Sequence, residues 1–222
     1  MNTLTCQLNG RALGKYLECA AVVYSVTHTS NTGKPRAARG PHHDVQGKLT
    51  HVEHGFGPCF DEHSTRLFLG TMASPKSREY GFFYMHPRNR FWPIMQALFA
   101  DPNDPDDVVG NTAQTRRAFA LRHHIALWDT IESCDIVGAS DASIRNVVPS
   151  DLTTIITHSQ ISHIYACGAK ANQLYHKYCE PTLLKNGINV PETALPSTSP
   201  AYAAKTLDQL IDIYRDAVFP AD

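Results

Sequence analysis

Apolar residues occur along this chain in two kinds of pattern, short unbroken runs and helical repeats. The run Arg66-Leu-Phe-Leu-Gly70 predicts a buried strand that ends in a turn at its glycine, and residues 161–168 predict a second strand. A helix over 91–100 is indicated by apolar positions at helical spacing, Trp92, Met95, Leu98 and Phe99. Further helices are predicted over 112–121, 149–158, 169–178 and 203–218, an apolar segment over 125–128 and a strand over 187–190.

Strands that alternate with helices predict an α/β fold, here a three-layer αβα sandwich with a mostly parallel central sheet. In such sheets, ligands bind where the strands end at their carboxyl termini. We therefore expect functional residues just after Leu69 and just after Val190.

The chain is divided by composition. Residues 27–50 lack apolar periodicity and are rich in Gly, Pro, Ser, Thr and charge, which predicts a linker. We expect an N-terminal extension over 1–50 and one domain over 51–222, because 222 residues suit a single domain. The apolar run over 19–26 is too short for a membrane helix and Glu18 argues against a secretory signal, so an intracellular protein without membrane contact is expected.

Charge and metal-ligating residues narrow the function classes. A net charge of −1 argues weakly against nucleic-acid binding, although four aspartates are concentrated in the single loop 101–107. The six cysteines form no Cys-x-x-Cys pair, and the twelve histidines form no His-Glu-x-x-His helix. We expect neither a metal nor a cofactor.

Residues 70–93 interleave basic and aromatic side chains. Phosphate-binding charge would come from Lys76, Arg78, Arg88 and Arg90, against the single acid Glu79. Stacking faces for nucleic-acid bases would come from Phe82, Phe83, Tyr84, Phe91 and Trp92. The alternative is that the aromatic residues belong to the core and the cations to a solvated face.

The stretch Leu195-Pro-Ser-Thr-Ser-Pro200 places small hydroxyl residues between prolines. Such a loop can grip phosphate oxygens with its amides and with the hydroxyls of Ser197, Thr198 and Ser199. A plain connection between a strand and the last helix is the alternative.

These stretches belong to an ordered set of motifs. In chain order they are His54-Gly-Phe, Leu67-Phe-Leu-Gly-Thr-Met-Ala-Ser, Ser77-Arg-Glu-Tyr-Gly-Phe-Phe-Tyr, His86-Pro-Arg-Asn-Arg-Phe-Trp, Leu127-Trp-Asp, Ser143-Ile-Arg-Asn-Val-Val-Pro-Ser-Asp and Leu195-Pro-Ser-Thr-Ser-Pro. Together they resemble the hypoxanthine-DNA glycosylases, a branch of the uracil-DNA glycosylase superfamily. The resemblance covers the chain from His54 to its C-terminus.

The resemblance implies a uracil-DNA glycosylase-like sandwich and a DNA-repair enzyme. Such an enzyme flips hypoxanthine, the deamination product of adenine, out of DNA and excises it, leaving an abasic site. The implied enzyme is monofunctional and uses no cofactor. Its partner would be DNA containing deaminated bases, and we expect a monomer in the cytoplasm, associated with the nucleoid.

Individual roles follow from the same resemblance. It implies Asn89 as the catalytic residue, although Asn89 could instead be a helix N-cap. Asn146 is a second base-binding candidate by analogy with a strand-borne asparagine elsewhere in the superfamily, or else a turn residue. The other base-binding candidates are Gly70, Thr71, Met72, Tyr84 and Phe91. The DNA-backbone candidates are Ser74, Lys76, Arg78, Arg88, Ser197, Thr198 and Ser199.

Two positions depart from the family's pattern, and a third bears on the choice of base. Ala73 stands where proline is expected, and Tyr202 where asparagine is common. Leu195 stands where uracil-specific relatives place a histidine, which argues against strong uracil activity. A broader deaminated-base or uracil glycosylase and a catalytically silent nucleic-acid-binding protein remain alternatives. A small-molecule α/β hydrolase lacks support, because the chain has no Gly-x-Ser-x-Gly elbow.

Overall fold

The computed structural model describes residues 47–220. Its strands are β1 Leu49–Glu53, β2 Arg66–Gly70, β3 Ile125–Asp129, β4 Ile131–Val137, β5 Arg145–Pro149, β6 His163–Cys167 and β7 Glu192–Leu195. Its helices are α1 Pro75–Tyr80, α2 Phe91–Phe99, α3 Ala113–Arg122, α4 Thr153–Thr157, α5 Ala169–Leu174, α6 Glu180–Lys185 and α7 Leu207–Val218. A 3₁₀ turn covers Asp141–Ser143, and a π-helical turn, Tyr175–Cys179, joins α5 to α6. Most of the predicted extension over 1–50 lies outside the described residues.

Four strands form a parallel sheet in the order β3-β2-β6-β7. Strand β3 is buried along its whole length, and β2 is buried apart from Arg66, as expected for parallel strands covered on both faces. The side chains on the sheet and on α2 and α7 join in one core that includes Phe68, Ile94 and Tyr214. The predicted α/β sandwich with a mostly parallel central sheet is thereby confirmed.

A second, antiparallel sheet follows the order β1-β4-β5 and was not predicted. Only Thr130 separates β4 from β3, and β4 carries the polar residues Glu132 and Asp135 among its apolar ones. Because of these two features, β4 does not stand out in the sequence as a separate apolar run, and it was not recognised as a strand. The small sheet has its own apolar cluster, formed by Ile131, Cys134, Ile136 and Leu174.

Four predicted elements differ from the structure, and one of them, the helix predicted over 203–218, begins later, at Leu207 after its cap Thr206. The predicted strand over 187–190 is wrong, because pairing with β6 begins only when Ile164 N–H donates to Pro191 O, at 2.9 Å. The helix predicted over 149–158 is shorter, since Pro149 ends β5 and Asp151 accepts a hydrogen bond from Thr153 N–H at the start of α4. The helix predicted over 169–178 continues through the π-helical turn into α6.

Candidate active site

The carboxyl ends of the four parallel strands form one edge of the sheet. The strands β2 and β3 end opposite each other at Gly70 and Asp129, and β6 and β7 end opposite each other at Cys167 and Leu195. The segment after Leu69 lies at this edge, as predicted. The other loop at this edge begins after Leu195 rather than after Val190, because β7 lies later in the chain than predicted.

Gly70 is the point where two polar side chains converge. A Cβ at this position would overlap Asp129 Oδ1 and would lie 3.2 Å from the Tyr84 hydroxyl. The absence of a Cβ therefore lets a carboxylate and a phenol reach the end of β2 together. Gly70 was predicted to admit a ligand, and here it admits two protein side chains.

Asp129 forms a buried pair with His54. Asp129 Oδ2 lies 2.7 Å from His54 Nε2, and both side chains are only a few per cent exposed. The other ring nitrogen, Nδ1, lies 2.9 Å from the carbonyl oxygen of Phe56. Since a carbonyl only accepts, Nδ1 carries a hydrogen, and a second proton lies between Nε2 and the carboxylate. Sequence reasoning assigned neither residue a role, although both lie in quoted motifs, His54-Gly-Phe and Leu127-Trp-Asp.

Tyr84 is strained and stacked. Its φ of 54° lies in the left-handed region, which non-glycine residues rarely adopt. Its ring is parallel to that of Phe91, with the centroids 3.9 Å apart. The hydroxyl is buried without a hydrogen-bond partner among the described residues, and burial raises the pKa of this phenol well above 10.

The neighbouring aromatic residues belong to the core. Phe91 is fully buried beneath Tyr84, which corrects the expectation that its ring contacts the base directly. The same correction applies to three other predicted stacking residues, each at most 2% exposed, Phe82, Phe83 and Trp92. Of the predicted stacking residues, Tyr84 alone is partly exposed.

Asn89 is held by the start of α2. Its Oδ1 accepts a hydrogen bond from Phe91 N–H at 2.9 Å, while Arg90, the residue at the N-cap position, makes no side-chain cap. An N–H donor identifies the bonded atom as oxygen, so the other end of the amide is the Nδ2 donor. That donor has no partner among the described residues. Asn89 thus caps the helix with one end of its amide and can bind a ligand with the other.

Arg90 joins the turn before α2 that carries Asn89, called the Asn89 loop here, to the loop after β7. Its guanidinium donates to four backbone carbonyls of the latter loop, those of Thr198, Ser199, Tyr202 and Lys205, at 3.3, 2.7, 2.6 and 2.7 Å. This corrects the prediction that Arg90 supplies charge for phosphates, because its donors are directed at protein oxygens. The arginine makes the two loops one unit.

The loop after β7, residues 196–206, is called the hydroxyl loop here, and it packs closely against the end of β6. Gly168, with a φ of 115°, follows that strand, and a Cβ there would lie 3.3 Å from Ser197 Cβ. Ser197 Oγ accepts from Ser199 N–H at 3.2 Å, and Ser199 Oγ accepts from Ala201 N–H at 3.2 Å. Thr198 is buried, so of the three predicted phosphate-binding residues, Ser197 and Ser199 have exposed surface.

The basic candidates lie around α1 and the turn before α2. Ser74 caps α1 by accepting from Ser77 N–H at 3.2 Å, and Arg78 Nη1 donates to Ala73 O. Lys76 forms an exposed ion pair with Glu79, at 2.6 Å. Arg88, which is also exposed, has no salt-bridge partner within residues 47–220. Ser74 and Arg78 thus support the loop after β2, whereas Arg88 is available to an anion.

Asn146 is part of β5 in the small sheet, and Thr71 and Met72 contact residues of the same region. Met72 packs against the cluster that contains Val147, the neighbour of Asn146. The side chain of Thr71 donates to Asp141 Oδ2 at 3.3 Å. Asn146 Nδ2 itself donates to Asp135 Oδ2 at 2.6 Å, and this bond lowers the pKa of that exposed carboxyl. One of the two hydrogens on Asn146 Nδ2 is therefore bound to a protein carboxylate.

Residues 47–220 contain no cluster of three or more potential metal ligands. In the same part of the chain, no helix is long and apolar enough to cross a membrane.

Comparison with known proteins adds three relatives, whereas no profile of a known protein family matches the chain. A hypoxanthine DNA glycosylase of Methanosarcina barkeri is 28% identical over 92 residues, which cover 41% of this chain and 55% of the relative. A hypoxanthine DNA glycosylase of Methanosarcina acetivorans is 25% identical over 152 residues, 68% of this chain and 88% of the relative. A solution structure of an M. acetivorans protein, described as a candidate uracil DNA glycosylase, matches with a TM-score of 0.56 and 22% identity. That match covers 75% of this chain and 98% of the solved one.

The chain thus shares its fold with the solved M. acetivorans protein and is similar in sequence to two hypoxanthine DNA glycosylases.

Proposed function

We propose that this protein is a monofunctional DNA glycosylase that excises hypoxanthine from DNA. The observation that carries the proposal is the link through Arg90, which holds the amide of Asn89 and the hydroxyl loop of Ser197 and Ser199 as one unit at the carboxyl edge of the sheet. A glycosylase needs these two functions together. One part binds the extruded base and the other holds the backbone beside it.

The proposed reaction is hydrolysis at C1′ of the damaged nucleotide. The bond from C1′ to N9 breaks, its electron pair leaves with the base, and a water oxygen bonds to C1′ while its proton passes to solvent. The free Nδ2 of Asn89 donates to the departing base, where negative charge develops. An amide cannot serve as a general base at neutral pH, so the role of Asn89 is that of a donor.

Two features support a hydrolytic reaction over lyase chemistry. A lyase would use a lysine as the nucleophile, with its pKa lowered. Lys76 is paired with Glu79, which raises its pKa, and Lys170 donates to Gln173 at 3.2 Å. Both are solvated lysines with ordinary partners.

Leu195 supports hypoxanthine over uracil as the preferred base. It is 4% exposed at the end of β7, where the resemblance places a histidine in uracil-specific relatives. An aliphatic side chain cannot stabilise a uracil anion by hydrogen bonding. Because this argument concerns uracil alone, a broader deaminated-base glycosylase is the second candidate.

The test is release of base from matched duplex oligonucleotides that carry one inosine or one uracil, with alkaline cleavage at the abasic product. We expect cleavage of the inosine strand and its loss in Asn89→Ala. The exposed Asn103, whose side chain bonds to Asp101 in the acidic loop, provides the matched control Asn103→Ala. Cleavage of uracil at an equal rate would favour the broader glycosylase, and binding of both strands without cleavage would favour a silent binding protein.

A further inference from the structure

Two neighbouring polar atoms beside Gly70 have no hydrogen-bond partner among residues 47–220, and the first of them is fully buried. The Tyr84 hydroxyl has no hydrogen-bond partner among the described residues, although the Cys167 thiol, a weak hydrogen-bonding group, lies beside it. Asp129 Oδ1 likewise accepts no hydrogen bond from residues 47–220, since His54 bonds to Oδ2. Both atoms lie next to the position that a Cβ of Gly70 would occupy, so they are neighbours. Buried polar atoms without partners are costly, which makes an adjacent unpaired donor and acceptor a mark of ligand binding.

The two atoms have fixed and opposite hydrogen-bonding roles. Burial raises the pKa of Tyr84 well above 10, so the phenol keeps its proton and can donate. Asp129 Oδ1 can accept, because the proton of the pair lies on the side of Oδ2 and His54. Burial likewise raises the pKa of the nearby Cys167 thiol to about 12, so the thiol remains uncharged.

We propose that the Tyr84 hydroxyl and Asp129 Oδ1 together read the edge that deamination creates, the carbonyl oxygen O6 and the adjacent N1–H of hypoxanthine. This inference rests on the proposed function. Tyr84 donates to O6 and Asp129 accepts from N1–H. The depth of the two atoms supports the assignment, because a flipped base enters the pocket first while its sugar stays in the DNA backbone.

The same pair rejects adenine. Adenine carries an amino group where hypoxanthine carries O6, and its N1 is an acceptor without a hydrogen. That acceptor would face the Asp129 carboxylate, leaving two buried lone pairs in opposition. A site built to bond a particular hydrogen discriminates strongly against an analogue that lacks it, since its own polar groups are then left unpaired.

His54 acts as the positioning residue for Asp129. Its Nδ1 is fixed by Phe56 O and its ring packs against Trp128, with the centroids 4.2 Å apart. The imidazole therefore directs Oδ2 inward and leaves Oδ1 beside Gly70. In His54→Gln we expect the rate of base release to become insensitive to methylation at N1. Replacement of O6 by sulfur should still slow it.

The experiment pairs residue changes with changes in single base atoms. Single-turnover base release is measured on oligonucleotides with hypoxanthine, 6-thiohypoxanthine, whose sulfur is a weak acceptor, and 1-methylhypoxanthine, which lacks N1–H. The wild-type protein should release the thio base about 10-fold more slowly than hypoxanthine and the methylated base about 100-fold more slowly. These factors correspond to the loss of a neutral and of a charged hydrogen bond. Tyr84→Phe should slow release of hypoxanthine about 10-fold and cause no further loss on the thio base. Asp129→Ala, which removes the acceptor, should slow it about 100-fold with little further loss on the methylated base.

The crossed pairs are the matched controls. Tyr84→Phe with 1-methylhypoxanthine and Asp129→Ala with 6-thiohypoxanthine should show the product of the two separate losses. If Tyr84→Phe with 6-thiohypoxanthine and Asp129→Ala with 1-methylhypoxanthine also show the product of the two losses, the assignment is overturned. The glycosylase function would still stand. A wild-type protein that releases no hypoxanthine would instead refute the proposed function. Urea denaturation checks the fold of each variant, and Tyr84→Phe, which removes a single oxygen, decides the question if Asp129→Ala does not fold.

Discussion

Arg90 Nη2 donates to the backbone carbonyl of Ser199 at 2.7 Å, across 109 positions of sequence. Three more carbonyls of the same loop, those of Thr198, Tyr202 and Lys205, accept from this guanidinium. All four side-chain bonds between the Asn89 loop and the hydroxyl loop thus come from one guanidinium, and the backbone bond from Arg90 N–H to Thr198 O, at 3.1 Å, adds to them. Arginine suits this task because its planar group has five donors in a fixed geometry.

Replacement of Arg90 by lysine tests this link. One ammonium cannot reproduce the set of donors, so Arg90→Lys should lower the free energy of unfolding by about 2–4 kcal/mol and slow base release. Urea denaturation measures the first effect. Arg215→Lys is the control, because Arg215 has a single exposed partner, Asp212. A change for Arg90→Lys as small as that of the control would show that the four bonds contribute little.

Replacement of Gly70 by alanine tests the convergence at the end of β2. The new Cβ would overlap Asp129 Oδ1 and approach the Tyr84 hydroxyl, so the carboxylate would have to move. We expect destabilisation of about 1–3 kcal/mol, measured in urea, together with loss of base release. Unchanged stability and unchanged turnover in Gly70→Ala would contradict the packing described here.

The sequence allowed the local elements to be predicted better than the contacts between them. Strand β2 was predicted with its observed bounds, because an apolar run that ends in glycine identifies a strand on its own. The small sheet was missed, since β4 mixes polar with apolar residues and follows β3 after a single residue. Motifs pointed to Asn89, yet the pair of His54 and Asp129 joins residues 75 positions apart, and no local pattern reports such a contact.

Two substitutions separate the roles of the two ends of the Asn89 amide. Asn89→Asp keeps an oxygen for Phe91 N–H but removes the Nδ2 donor, whereas Asn89→Ala removes both. Both variants should slow single-turnover base release by about 100-fold or more. Only Asn89→Ala should lose stability, by about 1 kcal/mol, because only it loses the helix cap. Full activity in Asn89→Asp would exclude the donor role.

His176 provides a prediction for pH. The hydrogen bond that His176 Nδ1 donates to Glu180, and further contact with Glu192, raise the pKa of this imidazole above 6.5. A raised pKa means that the folded state binds the proton more tightly, so the stabilisation is fully present below 6.5 and is lost as pH rises through the raised value. The Tm difference between wild type and His176→Gln should follow this course. A difference that grows with pH would contradict it, and His158→Gln, which changes a histidine with no carboxylate partner among the described residues, is the control.

Arg88 tests the electrostatic part of DNA binding. It is exposed in the turn that carries Asn89, at the carboxyl edge of the sheet, so it can reach a phosphate. Arg88→Ala should weaken binding to all duplexes similarly and reduce the slope of log K against log salt by about 1, through the loss of one released counterion. Lys185 ends α6 before the chain enters β7, at the opposite edge of the sheet, and Lys185→Ala is therefore the control. Fluorescence anisotropy over a series of salt concentrations measures both slopes. Equal slopes for the two variants would remove Arg88 from the DNA interface.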